Sequence, residues 1–262
     1  MPLHDPPPDF AIVIPAWNEE AVLPQTIAQL RECALAMGRP FELVVVDDAS
    51  TDRTAEVAAA AGARVVRVER RQIAAVRNEG ARATRAPWLV FCDADTFVPE
   101  TVLRHALAEL EAGAVGGGAR VDFDATASPA AEAFIAAFKS LWYAQGLAAG
   151  CFLFARRGDF DAVGGFDELY FAGEEYWMSR ALQRRGRFVL LPEAVISSAR
   201  KQRKLGLVRL LSQAFAPLLR GPSVLHSRDG LPLWYGGLRD DRAVDLDLGR
   251  RGGGPGRGPS AP

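Results

Sequence analysis

From Phe10 the chain alternates short apolar runs with polar turns and helix-like stretches. Phe10 to Ile14 is predicted to be a buried strand, followed by a helix from about Glu20 to Met37, with Pro24 tolerated only near its first turn. Leu43 to Val46 is a second predicted strand, and Ser50 or Thr51 is placed to cap a helix running to about Ala61. Val65 to Val68 reads as a strand, Gln72 to Thr84 as a helix, and Trp88 to Cys92 as a fourth strand. Continuously apolar strands that alternate with helices predict a parallel sheet covered on both faces. Right-handed crossovers then place the strands' carboxyl ends on one edge, where ligands of open α/β sheets bind.

The second half is less regular. Thr101 to Glu111, Ala130 to Gln145 and Tyr176 to Arg185 read as helices. Ala119 to Phe123, Phe152 to Phe154 and Phe188 to Leu191 read as strands, with a loop at Gly164 and Gly165. After a basic run at 200–204, Leu207, Leu210, Leu211, Phe215 and Leu218 recur at helical spacing. Such a helix packs on the domain or lies on an anionic membrane. The Pro-rich residues 1–8 are expected to be loose, and residues 221–262 irregular, with disorder from about 249 where the chain becomes Gly/Pro-rich.

Composition narrows the picture modestly. At 262 residues with 49% hydrophobic side chains, the chain has room for one large α/β domain. The 31 basic and 32 acidic residues nearly cancel, so no nucleic-acid partner is expected. Cys33, Cys92 and Cys151 lie far apart, which fits a reducing, cytoplasmic setting better than a disulfide framework. The opening MPLHDPPPDF lacks the pattern of a signal peptide, and no apolar run reaches the roughly 18 residues of a membrane span. Contact with a membrane is expected to be peripheral at most.

The chemistry lies at the strand ends. Asn18 and Glu19 follow the first strand, Asp47 and Asp48 the second, Asp93 and Asp95 the fourth. Crowded carboxylates repel one another and call for a cation or a donor-rich ligand. Taken singly, Asp-x-Asp is as readily a turn, and Asp47-Asp48 the start of a helix. Their conjunction at three strand ends points to a site for Mg²⁺ or Mn²⁺.

Residues Ile12-Val13-Ile14-Pro15-Ala16-Trp17-Asn18-Glu19-Glu20, Val46-Asp47-Asp48-Ala49-Ser50-Thr51-Asp52, Val76-Arg77-Asn78 and Phe91-Cys92-Asp93-Ala94-Asp95 resemble the landmarks of family 2 glycosyltransferases. Gly164-Gly165-Phe166-Asp167-Glu168 and Gly173-Glu174-Glu175 follow in the family's order. The resemblance implies the GT-A fold: a Rossmann-like, mostly parallel central sheet with helices on both faces and a smaller acceptor-side portion. The resemblance spans about Phe10 to Arg200; a domain at 9–220 is expected, with a nucleotide-binding half (9–98), an acceptor and catalytic half (99–200) and the basic amphipathic helix read from its spacing (201–220). The resemblance further implies an inverting, metal-assisted hexosyl transfer from a UDP-, GDP- or dTDP-sugar to an unidentified acceptor hydroxyl.

By the same resemblance Pro15, Ala16, Trp17 and Glu19 hold the nucleotide, with Trp17 equally placed to be a core aromatic. Asp48 reads the base beside Asp47. Asp95 holds the metal, Asp93 and Ala94 face the ribose, sugar or metal, and Arg77 lies near the nucleotide or phosphates. Glu175, with Glu174, stands where the family's base is expected, although an aspartate is usual there. At an apparent helix start both acids are favoured in the ionised form, as catalysts or simply as caps. Acceptor contacts are expected from Phe138 to Cys151 and from the Gly164–Glu168 loop.

Many members carry a metal-binding histidine near the position of Ser197 or Ser198; His4, His105 and His226 are all elsewhere. Arg200, with Lys201, is therefore expected either to grip the diphosphate or to belong to a solvated basic run. Two alternatives stand beside the transferase. One is a catalytically silent nucleotide-sugar-binding protein on the same fold. The other is a haloacid-dehalogenase-type phosphatase, disfavoured because Phe97 stands where that motif wants Thr or Val. The strand-end glycines of a Rossmann dehydrogenase, the P-loop and the GxSxG elbow are all missing.

Overall fold

The computed structural model describes residues 7–124, 129–198, 225–228 and 231. Arg200 with its basic run, the 205–219 stretch and the Gly/Pro-rich end lie outside them. Strands β1 (Phe10–Ala16), β2 (Phe41–Asp48), β3 (Arg64–Val68) and β4 (Trp88–Cys92) pair in parallel, as their apolar runs require. The sheet continues through β7 (Phe152–Arg156), β6 (Gly116–Phe123), β8 (Phe188–Ser197) and β5 (Thr96–Phe97), in the order β3-β2-β1-β4-β7-β6-β8-β5. β7 pairs antiparallel with β4 and β6, β5 antiparallel with β8, and β6 parallel with β8.

Continuous hydrophobicity is explained by two cores, one on each face. Phe10, Ile12 and Ile14 of β1 join Val90 and Cys92 against α1 (Leu23–Ala36) and α4 (Glu100–Glu111). Val13 joins Val44, Val46, Leu89 and Phe91 against α3 (Ile73–Ala83) and α7 (Glu174–Gln183). Each fully buried Leu, Ile or Val contributes about 2 kcal/mol. α3 seats unusually close because Gly80 has no Cβ, which would fall 2.2 Å from Val13 Cγ1. One turn earlier on that helix stands Arg77, carried down onto the strand ends.

Several elements differ from expectation for local reasons. α2 (Thr54–Ala60) is not capped by Ser50 or Thr51; Asp52 Oδ1 accepts the Thr54 amide at 2.9 Å instead. α1 begins at Leu23, with a proline in its first turn. β6 includes Gly116, Gly117 and Gly118, poor strand formers, because neighbouring backbone and side chains approach within 2.1–2.6 Å of where a Cβ would sit. α5 (Pro129–Ala144) agrees with expectation, whereas the short α6 (Arg157–Ala162) and β5 were unforeseen.

β8 runs past Pro192 to Ser197. A register shift pairs Ala119 with Leu191 and Arg120 with Ala194, so Pro192 and Glu193 bulge out where the missing amide is harmless. That extension carries the end of β8 to the turn after β4, where the Ser198 amide donates to Asp95 O at 3.2 Å.

Candidate functional site

At the carboxyl ends of β1, β2 and β4 lies a cleft of about 340 Å³. Its lining includes Pro15, Ala16, Trp17 and Glu19 after β1, Asp48 at the end of β2, and Asp93, Ala94 and Asp95 after β4. Glu174 and Glu175 close the far side from the first turn of α7. Asp48, Asp95 and Glu175, distant in the chain, therefore share one cavity. Asn18 and Asp47 do not line it.

The strand-end loops brace each other. Asn18 donates its amide to Ser50 Oγ at 2.9 Å and accepts the Thr51 amide at 2.8 Å. The Glu19 amide donates to Thr54 Oγ1 at 2.8 Å. Asp48 Oδ1 accepts both the Arg70 and Arg71 amides, at 2.7 and 2.9 Å, so the carboxylate is fixed in the cleft wall through one oxygen. Asn18, Ala49 and Arg71 each hold a positive φ of 52–54° at the ends of β1, β2 and β3. Such conformations persist only where surrounding contacts over-determine them, as these do. Asp47 is buried behind this rim, its Oδ1 without a partner among the described residues.

Trp17 is neither a core aromatic nor free: half-buried in the cleft wall, it carries the Arg71 guanidinium 3.9 Å above its ring. Arg71 stands three residues past β3 in none of the sequence landmarks, so no local signal marks it. Thr26 Oγ1 donates to Ala94 O at 2.8 Å, tying α1 to the Asp93–Asp95 turn.

Arg77 is the buried centre of the acid cluster, with only 2% of its surface exposed. It ion-pairs with Glu174 and, at 2.8 Å, with Asp93 Oδ1, and Nη2 donates to Gly150 O at 2.6 Å. Burial alone would lower its pKa; Asp93, Glu174 and Glu175 more than reverse that, and the net shift is upward. Arg77 is thus a permanent cation whose two terminal nitrogens are bound to protein partners, a cross-brace in the wall of the cleft.

The two glutamates separate. Glu174 is locked against Arg77, while Glu175 lines the cleft beside Gly150. Its carboxyl is pushed up to about 8, first by burial, then by the negative charge of Glu174, with Arg77 pulling the other way. The helix start therefore does not keep Glu175 ionised, as its dipole alone would; desolvation beside a second acid outweighs the dipole. Cys151 also lines the cleft, and burial followed by Asp93 and Asp95 pushes its thiol well up, which favours the neutral thiol.

The Gly164–Glu168 loop does not itself line the cleft but backs its wall, with the cleft residue Gln72 donating to Glu168 O. Asn78 accepts the Phe166 amide and donates to Phe166 O and Glu168 Oε1, each at 2.9 Å. Of the expected acceptor-side residues, Gly150 and Cys151 reach the lining.

No trio of metal-ligating side chains clusters among the described residues. Magnesium and manganese do not require one: they are usually held by one or two carboxylates together with phosphate oxygens and water. Asp95, facing an open cleft, suits that donor set. Asp93 is partly engaged by Arg77.

The family described as Glycosyl transferase family 2 matches residues 11–163, more than half of the chain. An undecaprenyl-phosphate 4-deoxy-4-formamido-L-arabinose transferase of Pseudomonas aeruginosa is 48% identical over 54 residues, which is 21% of this chain and only 16% of that protein. A mannosyltransferase from Pyrobaculum calidifontis, solved with GDP-Man and Mn²⁺, superposes with a TM-score of 0.58 at 20% identity, covering 88% of this chain and 74% of that one. Glucosyl-3-phosphoglycerate synthase from Mycobacterium tuberculosis, solved with Mn²⁺, UDP and glucosyl-3-phosphoglycerate, gives 0.57 at 20% identity, covering 82% and 80%. At such identity the two structures establish a shared fold and nothing finer.

Proposed function

Because the chain belongs to glycosyltransferase family 2 and has the GT-A fold, we propose that it moves a glycosyl group from a nucleoside-diphosphate sugar to an acceptor hydroxyl with inversion. The observation that carries this reading is the single cleft shared by Asp48, Asp95 and Glu175. Trp17 and Asp48 form the base end; Asp95 marks the diphosphate end. In one displacement the acceptor oxygen bonds to the anomeric carbon, the bond to the diphosphate breaks, and the acceptor's proton passes to Glu175. The nucleoside diphosphate leaves. A Mg²⁺ or Mn²⁺ ion held by Asp95, with Asp93 beside it, would offset the charge that develops on that leaving group. Arg77 keeps Asp93 and Glu174 in place.

A thermal-shift panel of UDP-, GDP- and dTDP-sugars with and without Mn²⁺ tests the donor site. At a hundredfold excess over Kd, binding adds about 2.7 kcal/mol, a rise of roughly 5–10 °C for a domain of this size. Asp95→Ala should erase the Mn²⁺-dependent part of that rise. If no nucleotide sugar raises the melting temperature under any condition, the donor site is wrongly assigned.

Among the described residues no helix is long and apolar enough to cross a membrane. Phe138 and Leu141 on α5 are nevertheless 47% and 67% exposed, just ahead of the 145–151 stretch that ends in the cleft. A lipid-linked acceptor presented from a membrane surface fits that placement. Flotation with anionic vesicles should recover the protein with the lipid, and Phe138→Ser with Leu141→Ser should reduce recovery severalfold. Equal recovery of both proteins would remove this acceptor reading.

A further inference from the structure

Beyond β8 the chain returns to the cleft. The Leu225 carbonyl accepts the Phe171 amide at 2.7 Å, and the His226 ring meets Tyr170 edge-on at 5.0 Å. Arg228 Nη2 donates to Arg70 O at 3.1 Å, and its guanidinium lies 5.5 Å from the centre of the Phe171 ring. Arg228 is thereby held between the loop that follows β3 and the segment that precedes α7, and it lines the cleft with Arg71.

Charge balance gives this placement a consequence. Glu19, Asp48, Asp93, Asp95, Glu174 and Glu175 all line the cleft. Among the described residues three arginines face them, and Arg77 is consumed by Asp93 and Glu174. A diphosphate entering among these acids meets strong repulsion unless other cations receive it. Arg71 is fixed over Trp17 at the base end. Arg228, anchored one residue away at the Arg70 carbonyl, brings a guanidinium, whose planar fork matches phosphoryl oxygens.

We propose that Arg228, supported by Arg71, grips the donor's diphosphate, a part for which Arg200 is one of two readings in the sequence. The residue lies outside the 11–163 family match, so this is a contribution of the chain's own C-terminal return. The inference rests on the donor-cleft reading given above.

The test is displacement of a fluorescently labelled nucleoside diphosphate, in Mn²⁺, by unlabelled UDP, GDP or dTDP and by the parent nucleosides. Arg228→Gln should weaken the diphosphate about 10- to 100-fold, the range for a lost charge-assisted hydrogen bond, and leave the nucleoside within about twofold. Arg228→Lys, which keeps charge and stem, should fall between the two proteins and guards against a loosened strap. Equal loss for nucleoside and diphosphate, or no loss for either, overturns the assignment. If no diphosphate binds the unaltered protein, the donor-cleft reading itself fails, a different result from an Arg228 variant that binds normally.

Discussion

Arg77→Ala should lower the melting temperature by roughly 6–20 °C, with a loss of donor binding secondary to that damage. Removing one partner of a buried ion pair typically costs about 3–5 kcal/mol, because the remaining charge stays buried without compensation. Here Glu174 is 4% exposed and Asp93 also loses its partner. At about 2–4 °C per kcal/mol for a domain of this size, that cost gives the stated range. Arg77→Lys should recover only part of it, since one ammonium cannot reproduce a fork that reaches Glu174, Asp93 and Gly150 together. Combining Arg77→Met with Glu174→Gln and Asp93→Asn should recover more stability than the lysine and no activity. A melting temperature for Arg77→Ala within 3 °C of the unaltered protein would show that this network does not hold the site together.

Glu175→Gln should reduce transfer by a factor of 10³ or more at saturating donor, with donor affinity nearly unchanged. General-base catalysis alone contributes about 10²–10⁴-fold, and the amide retains the shape of the side chain. The same change should stabilise the protein. In the folded state Glu175 holds its proton up to about 8, against an ordinary value of 4.5. Between these limits the folded form keeps a proton that the unfolded chain has released, so stability declines as pH rises through the window. Glutamine removes that decline and should therefore raise stability at pH 8 relative to the unaltered protein. For the unaltered protein kcat/KM should climb through about pH 8 and level above it, as the free enzyme's base ionises. A rate independent of pH from 6 to 9 would exclude Glu175 as the base. If both proteins bind donor and neither turns it over, the silent-binding alternative replaces the transferase.

Raised basicity and a displaced carboxylate bear on the glutamate that stands where the family usually has an aspartate. The extra methylene extends the acid by roughly an ångström, a distance that matters in catalysis. Gly150 leaves room for it: a Cβ there would lie 3.4 Å from the Glu175 carboxyl carbon. A Cβ at position 150 would meet the acid at ordinary van der Waals distance, so only a side chain larger than alanine would crowd it.

Much of the nucleotide-side architecture can be read from the chain alone. β1, β2 and β4 are apolar at nearly every position because both faces are covered, and that burial makes each strand and its polar end visible as a run and its terminus. The glycosyltransferase landmarks sit at those termini. The second half is harder to read. β8 contains a proline whose effect is absorbed by a bulge, and β6 begins with glycines that only crowding explains.

Position along the chain determined which acids stand at the strand ends; tertiary structure alone decided which of them face a ligand. Asp47 and Asp48 are adjacent and equally buried, yet strand alternation brings only Asp48 to the cleft wall. Glu174 and Glu175 are adjacent, yet one is bound by Arg77 and the other stands proton-laden at the cavity wall. Arg228 carries no local signature, and it reaches the site because Phe171 and Arg70 hold the returning backbone and guanidinium. Local pattern reports burial and periodicity, which neighbours in sequence share. Ion pairing and desolvation depend on groups brought together from remote segments, and no local pattern encodes them.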